Sequence, residues 1–337
     1  MPELEVKDLR VDFHTRAGQL QAVRGISFCL QPGRTLALVG ESGSGKSVTG
    51  RAIMGLLAPN ATARGQILYD GQDLLTLSDE QMRPYRGKRI AMVFQDPMSS
   101  LNPIVRTGRQ ITEAMDLPPK QAKEKALRLL REVGIRDPER CFRQYPFELS
   151  GGMRQRIVIA IALAGDPEIL ICDEPTTALD VTIQAQILEL LNELKQSRQL
   201  SVLFVTHDFG VVANVADDIA VMYAGKIVEQ GTAEEVFYDP RHPYTWALLS
   251  AMPNLDTQGR LYAIPGTPPN MLCPPVGDAF AARNPQALEI DFQREPPPFY
   301  VSDTHWAATW LLHPSAPKAN MPPILAQRLQ KGGNYGS

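Results

Sequence analysis

The chain has 337 residues, an apolar share of 44% and a formal net charge of -3. Such a length suits one large domain with an appendage, and the composition is ordinary for a folded globular protein. Because Lys and Arg are scattered and slightly outnumbered by acidic residues, we expect no nucleic acid as a partner.

The sequence predicts neither a membrane-spanning helix nor a signal peptide. No run reaches the roughly 18 apolar residues that a membrane-spanning helix needs, and the N-terminus lacks the pattern of a signal peptide. The four cysteines are dispersed, without a C-x-x-C pair. This spacing predicts neither a disulfide framework nor a zinc site, and suits a reducing cytosol.

Two kinds of strand are predicted along the first 205 residues. Residues 4–13 and 20–30 alternate apolar and polar side chains, which is typical of antiparallel strands. Four shorter runs are continuously apolar and are followed by polar loops, as expected for parallel strands buried on both faces. These runs are residues 34–39, 90–94, 169–172 and 202–205.

Helices are predicted between these strands. One begins after Pro119 and ends near Gly134, and another runs from about Thr182 to Gln196. The apolar face of the first comprises Ala122, Ala126, Leu127, Leu130 and Val133. Residues 95–154 are helix-rich and interrupt the strands, which indicates an inserted subdomain. After Phe237 the pattern becomes irregular, since 16 of the 28 prolines fall in the last 101 residues, and a separate extension is expected.

Residues 40–47 read Gly-Glu-Ser-Gly-Ser-Gly-Lys-Ser, a full G-x-x-x-x-G-K-[ST] phosphate loop, or Walker A motif, between a predicted strand and a predicted helix. Glycines let the backbone approach phosphate oxygens, and the helix N-terminus presents amides to the anion. The predicted nucleotide-binding residues are Gly40, Ser42, Gly43, Ser44, Gly45, Lys46 and Ser47. Lys46 is expected to reach the β- and γ-phosphates, and Ser47 to ligate Mg²⁺.

Asp173 and Glu174 follow the apolar run 169–172. Adjacent acids at a strand end are often solvated turn residues. Their placement between a buried strand and Pro175 favours catalysis, with Asp173 holding Mg²⁺ and Glu174 polarising the attacking water.

Residues 149–155 read Leu-Ser-Gly-Gly-Met-Arg-Gln. Together with the phosphate loop and Asp173-Glu174-Pro175, this signature resembles that of ATP-binding-cassette (ABC) ATPases. The resemblance implies an α/β fold, with a P-loop NTPase (RecA-like) core, an antiparallel β subdomain, an inserted α-helical subdomain and a C-terminal extension. It divides the chain into a nucleotide-binding domain at 1–236, with the helical subdomain at about 96–154, and an extension at 237–337.

The resemblance also implies roles for single residues. Gln95 is expected to contact Mg²⁺ or water, and His207 to contact the γ-phosphate as the switch histidine. Phe13 occupies the position of an aromatic that stacks on adenine, although a core-facing strand aromatic is the alternative. Val23 is a second candidate for that pocket.

Ser150, Gly151 and Gly152 are expected to bind the γ-phosphate held by the phosphate loop of an opposite subunit, so that ATP joins a dimer. A helix N-cap is the alternative for Ser150, but it leaves the rest of the signature unexplained. Asp180, which ends the run 175–180, matches the D-loop of the family and is expected near the nucleotide.

Residues 95–103, 238–245 and 264–269 resemble the ATP-binding subunits of the oligopeptide/dipeptide permease family, particularly those of Gram-positive bacteria. The resemblance implies an ATPase that powers oligopeptide uptake from the cytoplasmic face of the membrane, as a peripheral subunit. Its expected partners are a homologous second ATPase subunit, two transmembrane subunits and an extracellular peptide-binding protein. The alternatives are a dipeptide, nickel or glycoside importer, or a soluble ABC ATPase that acts on nucleic acid or ribosomes.

Many members of this family carry four extension cysteines that hold an iron–sulfur cluster. The corresponding positions here are Asp278, Asn284, Asp291 and Thr309. Since such clusters require thiolate ligands, we predict a cluster-free extension, with ATP and Mg²⁺ as the cofactors. A hard-metal site at Asp278 and Asp291 is an alternative with few ligands. The apolar contacts expected to hold the extension come from Phe280, Ile290, Phe292, Trp306 and Trp310.

Overall fold

The computed structural model describes residues 3–177, 179–252, 263–323 and 325–326. Its strands are β1 (Leu4–Thr15), β2 (Gly18–Leu30), β3 (Thr35–Val39), β4 (Ala61–Tyr69), β5 (Gln72–Asp73), β6 (Ile90–Val93), β7 (Ile169–Asp173), β8 (Ser201–Thr206), β9 (Asp218–Tyr223), β10 (Lys226–Thr232), β11 (Phe299–Tyr300) and β12 (Trp306–Ala307). Its helices are α1 (Lys46–Ile53), α2 (Asp79–Met82), α3 (Pro97–Ser100), α4 (Thr107–Glu113), α5 (Pro119–Glu132), α6 (Pro138–Arg143), α7 (Gly151–Ala162), α8 (Val181–Arg198), α9 (Phe209–Val215), α10 (Ala233–Tyr238) and α11 (Pro243–Ala251).

The central sheet has the order β11-β12-β10-β9-β3-β8-β7-β6. Strands β6, β7, β8, β3 and β9 form its parallel part, and the first four of these are buried along their whole length. The prediction of four buried parallel strands is confirmed. Because parallel strands end at one edge of a sheet, the polar loops that follow them meet there.

A second sheet, in the order β2-β1-β4-β5, is antiparallel, as predicted for its first two strands. Its apolar face packs on α1 and the central sheet, in a core that includes Val6, Ile26, Ile53 and Ile171. This packing places Ala22 of β2 beside Gly45, in the loop between β3 and α1.

Helices α3 to α6 and the start of α7 lie between β6 and β7, which is the predicted helical insertion. The expected boundary near residue 154 falls inside α7, which continues into the core to Ala162. Helix α5 is followed by Gly134 with φ of 78°, close to the predicted end. Leu129 is buried on its inner face, whereas the expected Leu127 is half-buried.

Residues after Phe237 pack against the cassette in the parts that the structure describes. Strand β12 pairs with β10 through Glu229–Ala307 and Gln230–Trp306, which extends the central sheet. Phe280 is 1% exposed in a core shared with β3 and β9. The prediction that Phe292 anchors the extension through apolar contacts is wrong, because this residue is 60% exposed.

The described part of the extension leaves out residues 253–262, 324 and 327–337. Among the residues that the structure describes, no helix is both long enough and apolar enough to span a membrane.

Candidate active site

The loop between β3 and α1 is shaped by two glycines. Gly45 has φ of 102°, and a Cβ there would lie 2.5 Å from the carbonyl oxygen of Ala22. A Cβ at Gly40 would lie 2.0 Å from the carbonyl oxygen of Met222. Only glycine fits such close approaches. The loop therefore wraps tightly around the N-terminus of α1, whose amides can meet an anion.

Lys46 lies inside this loop and is 4% exposed. Its ammonium donates hydrogen bonds to the carbonyl oxygens of Gly40, at 2.7 Å, and Glu41, at 2.9 Å. Burial lowers the pKa of Lys46 to about 8, against the opposing charge of Glu174. A cation is thus held at the centre of the loop that the sequence predicts to bind phosphate.

Ser47 and Asp173 meet at the floor of the site. The Ser47 hydroxyl donates a 2.7 Å hydrogen bond to Oδ1 of Asp173, the last residue of β7. Burial raises the pKa of Asp173, although the Ser47 hydrogen bond opposes it. Mg²⁺ takes oxygen ligands, commonly one or two carboxylates together with phosphate and water. The hydroxyl and carboxylate therefore fit a magnesium site.

Glu174 is the point at which three loops converge. Nε2 of Gln95 and Oγ1 of Thr177 each donate to its Oε2 at 2.9 Å. Nδ1 of His207 lies 3.0 Å from its Oε1. The backbone of Glu174 has φ of 47°, a left-handed conformation that is uncommon for a residue with a side chain. The three predicted catalytic residues thus form one cluster.

Burial on its own would raise the pKa of Glu174, but hydrogen bonds from His207 and Thr177 outweigh it and hold the pKa below its usual range. The side chain is therefore a carboxylate at neutral pH. A carboxylate can accept a proton, so this group is chemically suited to activating water.

A cavity of about 540 Å³ is lined by Lys46, Ser47, Gln95 and Glu174, whereas Asp173 and His207 do not line it. Its walls comprise residues 41–48, Gln95 and Glu174, together with Phe13, Leu20, Ala22, Tyr223, Ala224 and residues 268–271. Phe13 is half-buried and lines the cavity. Val23 does not line it and is 1% exposed in the core, because successive residues of β2 face opposite sides and Ala22 takes the position in the wall.

The signature residues lie apart from this cavity. Ser150 and Gly152 line a different one, and Ser150 caps α7 by accepting the amide of Met153 at 3.3 Å. Asp180 is exposed and caps α8 by accepting the amide of Ile183 at 2.9 Å. Within this chain, Ser150, Gly152 and Asp180 do not line the cavity beside the phosphate loop. Ala178, in the same run as Asp180, lies outside the described residues.

Several residues of the site were not predicted from the sequence. Thr177 supports Glu174, and the Tyr244 hydroxyl accepts the amide of Glu41 at 2.8 Å. Residues 268–271 wall the cavity from the extension. The position of Thr177, three residues after Glu174, was the one available signal, because the other contacts join distant segments.

The four positions expected for cluster cysteines are buried, and each side chain accepts a backbone amide. Asp278 accepts Phe280 N at 2.9 Å, Asn284 accepts Gln286 N at 3.0 Å, Asp291 accepts Leu288 N at 2.6 Å, and Thr309 accepts Leu311 N at 3.3 Å. In the described residues, no three His, Cys, Asp or Glu side chains are grouped to hold a metal ion. These four side chains stabilise local turns.

Comparison with known protein families agrees with this geometry. A model of the ABC transporter family matches residues 23–177, and a model of the oligopeptide/dipeptide transporter C-terminal region matches residues 228–290. The oligopeptide transport ATP-binding protein OppD of Bacillus subtilis (strain 168) is 57% identical over 339 residues, covering 98% of this chain and 95% of that protein. The dipeptide transport ATP-binding protein DppD of Lactococcus lactis subsp. cremoris (strain MG1363) is 58% identical over 322 residues, covering 94% and 92%.

Solved structures give the same result for the cassette. The dimeric structure of MJ0796, a bacterial ABC transporter cassette, superposes with a TM-score of 0.61 at 26% identity, covering 68% of this chain and 98% of that one. A post-hydrolysis dimer of the same cassette, bound to ADP and Pi, gives the same values. The chain therefore belongs to the ATP-binding subunits of the oligopeptide/dipeptide family of ABC transporters, which are cassette ATPases with a P-loop NTPase fold.

Proposed function

We propose that this chain binds ATP with Mg²⁺ in the 540 Å³ cavity and that its hydrolysis powers the uptake of oligopeptides across the cytoplasmic membrane. The observation that carries this proposal is the convergence of Gln95, Thr177 and His207 on the Glu174 carboxylate. The carboxylate lines the same cavity as Lys46 and Ser47.

Phosphate binding is assigned to residues 40–47. When ATP binds, the Lys46 ammonium replaces its hydrogen bonds to the carbonyl oxygens of Gly40 and Glu41 with hydrogen bonds to phosphate oxygens. The amides at the start of α1 bind the same anion. Ser47, Asp173 and Gln95 would hold Mg²⁺, which would neutralise phosphate charge. Phe13 would stack on the base at the far wall.

Hydrolysis is assigned to Glu174. Its carboxylate accepts a proton from the water that attacks the γ-phosphate, while the bond to the β-phosphate breaks and ADP leaves. Gln95 and His207 orient the carboxylate from two sides. The ring of His207 is half-exposed and contacts Glu174, which lines the cavity, so we assign it to the γ-phosphate. These roles follow from position: each group lies at the carboxyl end of a parallel strand.

The site is completed by a second, homologous ATPase subunit. Ser150, Gly151 and Gly152 lie at the N-terminus of α7, on a surface away from this chain's own cavity. We assign them, with Asp180, to the nucleotide held by that partner. The dimeric arrangement of the MJ0796 cassette supports this assignment.

The other partners are two transmembrane subunits and, through them, an extracellular peptide-binding protein. Such a complex places this chain peripherally on the cytoplasmic face. The transport functions named for the relatives support it. Met98 and Ile104, which follow Gln95 closely, are exposed apolar side chains available to a membrane subunit. Movement there would couple the nucleotide site to the transmembrane path.

A dipeptide substrate is the second candidate, because the dipeptide transport protein of L. lactis is as similar to this chain as the oligopeptide relative. The test is reconstitution of the complete complex in vesicles, with labelled oligopeptides and dipeptides compared. Peptide-stimulated ATPase activity and oligopeptide accumulation are expected. Accumulation of dipeptides alone would favour the second candidate, and no response to any peptide would contradict both.

A further inference from the structure

Arg283 of the C-terminal extension binds a residue of the phosphate loop. Its Nη1 lies 2.6 Å from Oε2 of Glu41, and its Nη2 lies 3.0 Å from Oε1. The Arg283 side chain is 4% exposed, whereas that of Glu41 is 28% exposed. This is a two-pronged, largely buried ion pair between residues 242 positions apart.

The guanidinium is fixed from several other directions. Its Nε donates to the carbonyl oxygen of Pro265 at 2.8 Å, and Nη1 also donates to the Tyr223 hydroxyl at 3.1 Å. The rings of Tyr223 and Phe280 lie within 6 Å of it. Arg283 is thus preorganised where it meets Glu41.

Glu41 lies within the nucleotide cavity itself. It lines the wall, its carbonyl oxygen accepts the Lys46 ammonium at 2.9 Å, and its negative charge acts on Lys46. ATP brings further negative charge into the same cavity. An unpaired Glu41 carboxylate would repel those phosphates, and the interaction would be poorly screened because the pair is largely buried.

We propose that Arg283 is a positioning residue of the nucleotide site, which neutralises Glu41 and so lets the C-terminal extension set the affinity for ATP. Two further contacts from the extension support this. The Tyr244 hydroxyl accepts the amide of Glu41 at 2.8 Å, and the Met271 carbonyl accepts the amide of Gln21 at 3.1 Å beside the cavity wall. The inference rests on the proposed binding of phosphate by residues 40–47.

The test is the Kd for ATP of full-length variants. Arg283→Met should weaken binding about tenfold, because it leaves Glu41 charged and unpaired. Arg283→Met combined with Glu41→Gln should restore affinity to near the wild-type value. Glu41→Gln alone, which keeps an acceptor for Arg283, should bind ATP at least as tightly as wild type. Recovery of ATP affinity in the double variant would show that Arg283 acts by neutralising Glu41 and does not only stabilise the fold.

Glu295→Gln is the matched control. Glu295 joins the extension to Arg24 of β2 at 2.8 Å but does not line the nucleotide cavity. Glu295 also pairs with Lys226, and its substitution loosens the same docking without leaving an unpaired carboxylate beside the phosphates, so affinity should not fall. Thermal unfolding of each variant checks that it is folded.

Three results would overturn the inference: wild-type affinity in Arg283→Met, a double variant as weak as Arg283→Met, or equal weakening by Glu295→Gln. If Arg283→Met does not fold, weaker binding by Glu41→Gln alone would overturn it. Lys46→Ala distinguishes failure of the Arg283 inference from failure of the proposed phosphate site. Unchanged ATP affinity in Lys46→Ala would refute phosphate binding by the loop.

Discussion

The hydroxyl of Ser47 donates a hydrogen bond of 2.7 Å to Oδ1 of Asp173, although 126 positions separate them. The contact arises because β3 and β7 flank β8 in one parallel sheet and end at the same edge. A hydroxyl and a carboxylate at that distance can share one hard cation. The magnesium assignment therefore depends on sheet order as much as on either motif.

Nucleotide binding should weaken as the pH rises through the pKa of Lys46. Burial lowers that pKa to about 8 in the nucleotide-free chain, and phosphate favours the charged form. The ammonium is present below this pH and is lost above it. We expect ATP affinity, measured by calorimetry, to fall on the order of tenfold between about pH 7.5 and pH 9.5.

Lys46→Ala is the control for this titration. It should bind ATP weakly at both pH values, since no ammonium is present to lose. A wild-type affinity that stays level across the range would contradict the role of Lys46.

The purified chain alone should be mostly monomeric and a poor ATPase. Ser150 and Gly152 line a surface away from the chain's own cavity, so a facing phosphate loop has to come from another subunit. Sedimentation and ATPase assays over a range of protein concentration test this. Fast hydrolysis that does not depend on concentration would be incompatible with a composite site.

Asp278→Asn should stabilise the chain more at high pH than at low pH. Burial raises the pKa of Asp278 from 3.8 to about 7, so the folded state resists ionisation. The resulting penalty is absent below the unfolded pKa, grows as the pH rises, and is complete above about pH 7. Since one pKa unit corresponds to about 1.4 kcal/mol, Asn should recover up to about 4 kcal/mol at about pH 8.

The free energy of unfolding of Asp278→Asn and wild type, compared at about pH 5 and pH 8, measures this difference. Asn keeps an oxygen that can accept the amide of Phe280. Asp303→Asn, at an exposed position of the extension, is the control and should show no such trend. An equal effect at both pH values would mean that Asp278 is ionised without penalty.

Anaerobically purified protein should contain no stoichiometric iron or acid-labile sulfide. The reason is that a carboxylate, an amide, a carboxylate and a hydroxyl stand where a cluster would need thiolates, at Asp278, Asn284, Asp291 and Thr309. Elemental analysis and sulfide assay check this. About four iron atoms per chain would overturn the prediction.

The strands and the phosphate loop were predictable because local patterns encode them. The continuous apolar run 169–172 predicts a buried strand, and Asp173 directly after it predicts a polar site residue where the strand ends. Glycines at special backbone positions similarly mark the loop. Such signals need no knowledge of distant partners.

The contacts made by the extension were not predictable for the opposite reason. Arg283 lies in an irregular, proline-rich segment without periodicity, and its partner Glu41 is at the other end of the chain. Phe292 failed for a related reason, since in irregular segments an apolar residue has no face that indicates burial. Long-range packing, rather than local propensity, decides these positions.

We propose that Glu174 activates the water that hydrolyses ATP in this chain's own cavity. The direct measurement is steady-state ATPase activity and ATP affinity of wild type and Glu174→Gln, each assembled with a partner ATPase subunit whose own site is inactive. We expect Glu174→Gln to bind ATP with similar affinity and to lose at least about a hundredfold in turnover, as removal of a general base does. Equal hydrolysis by the two complexes would contradict the account.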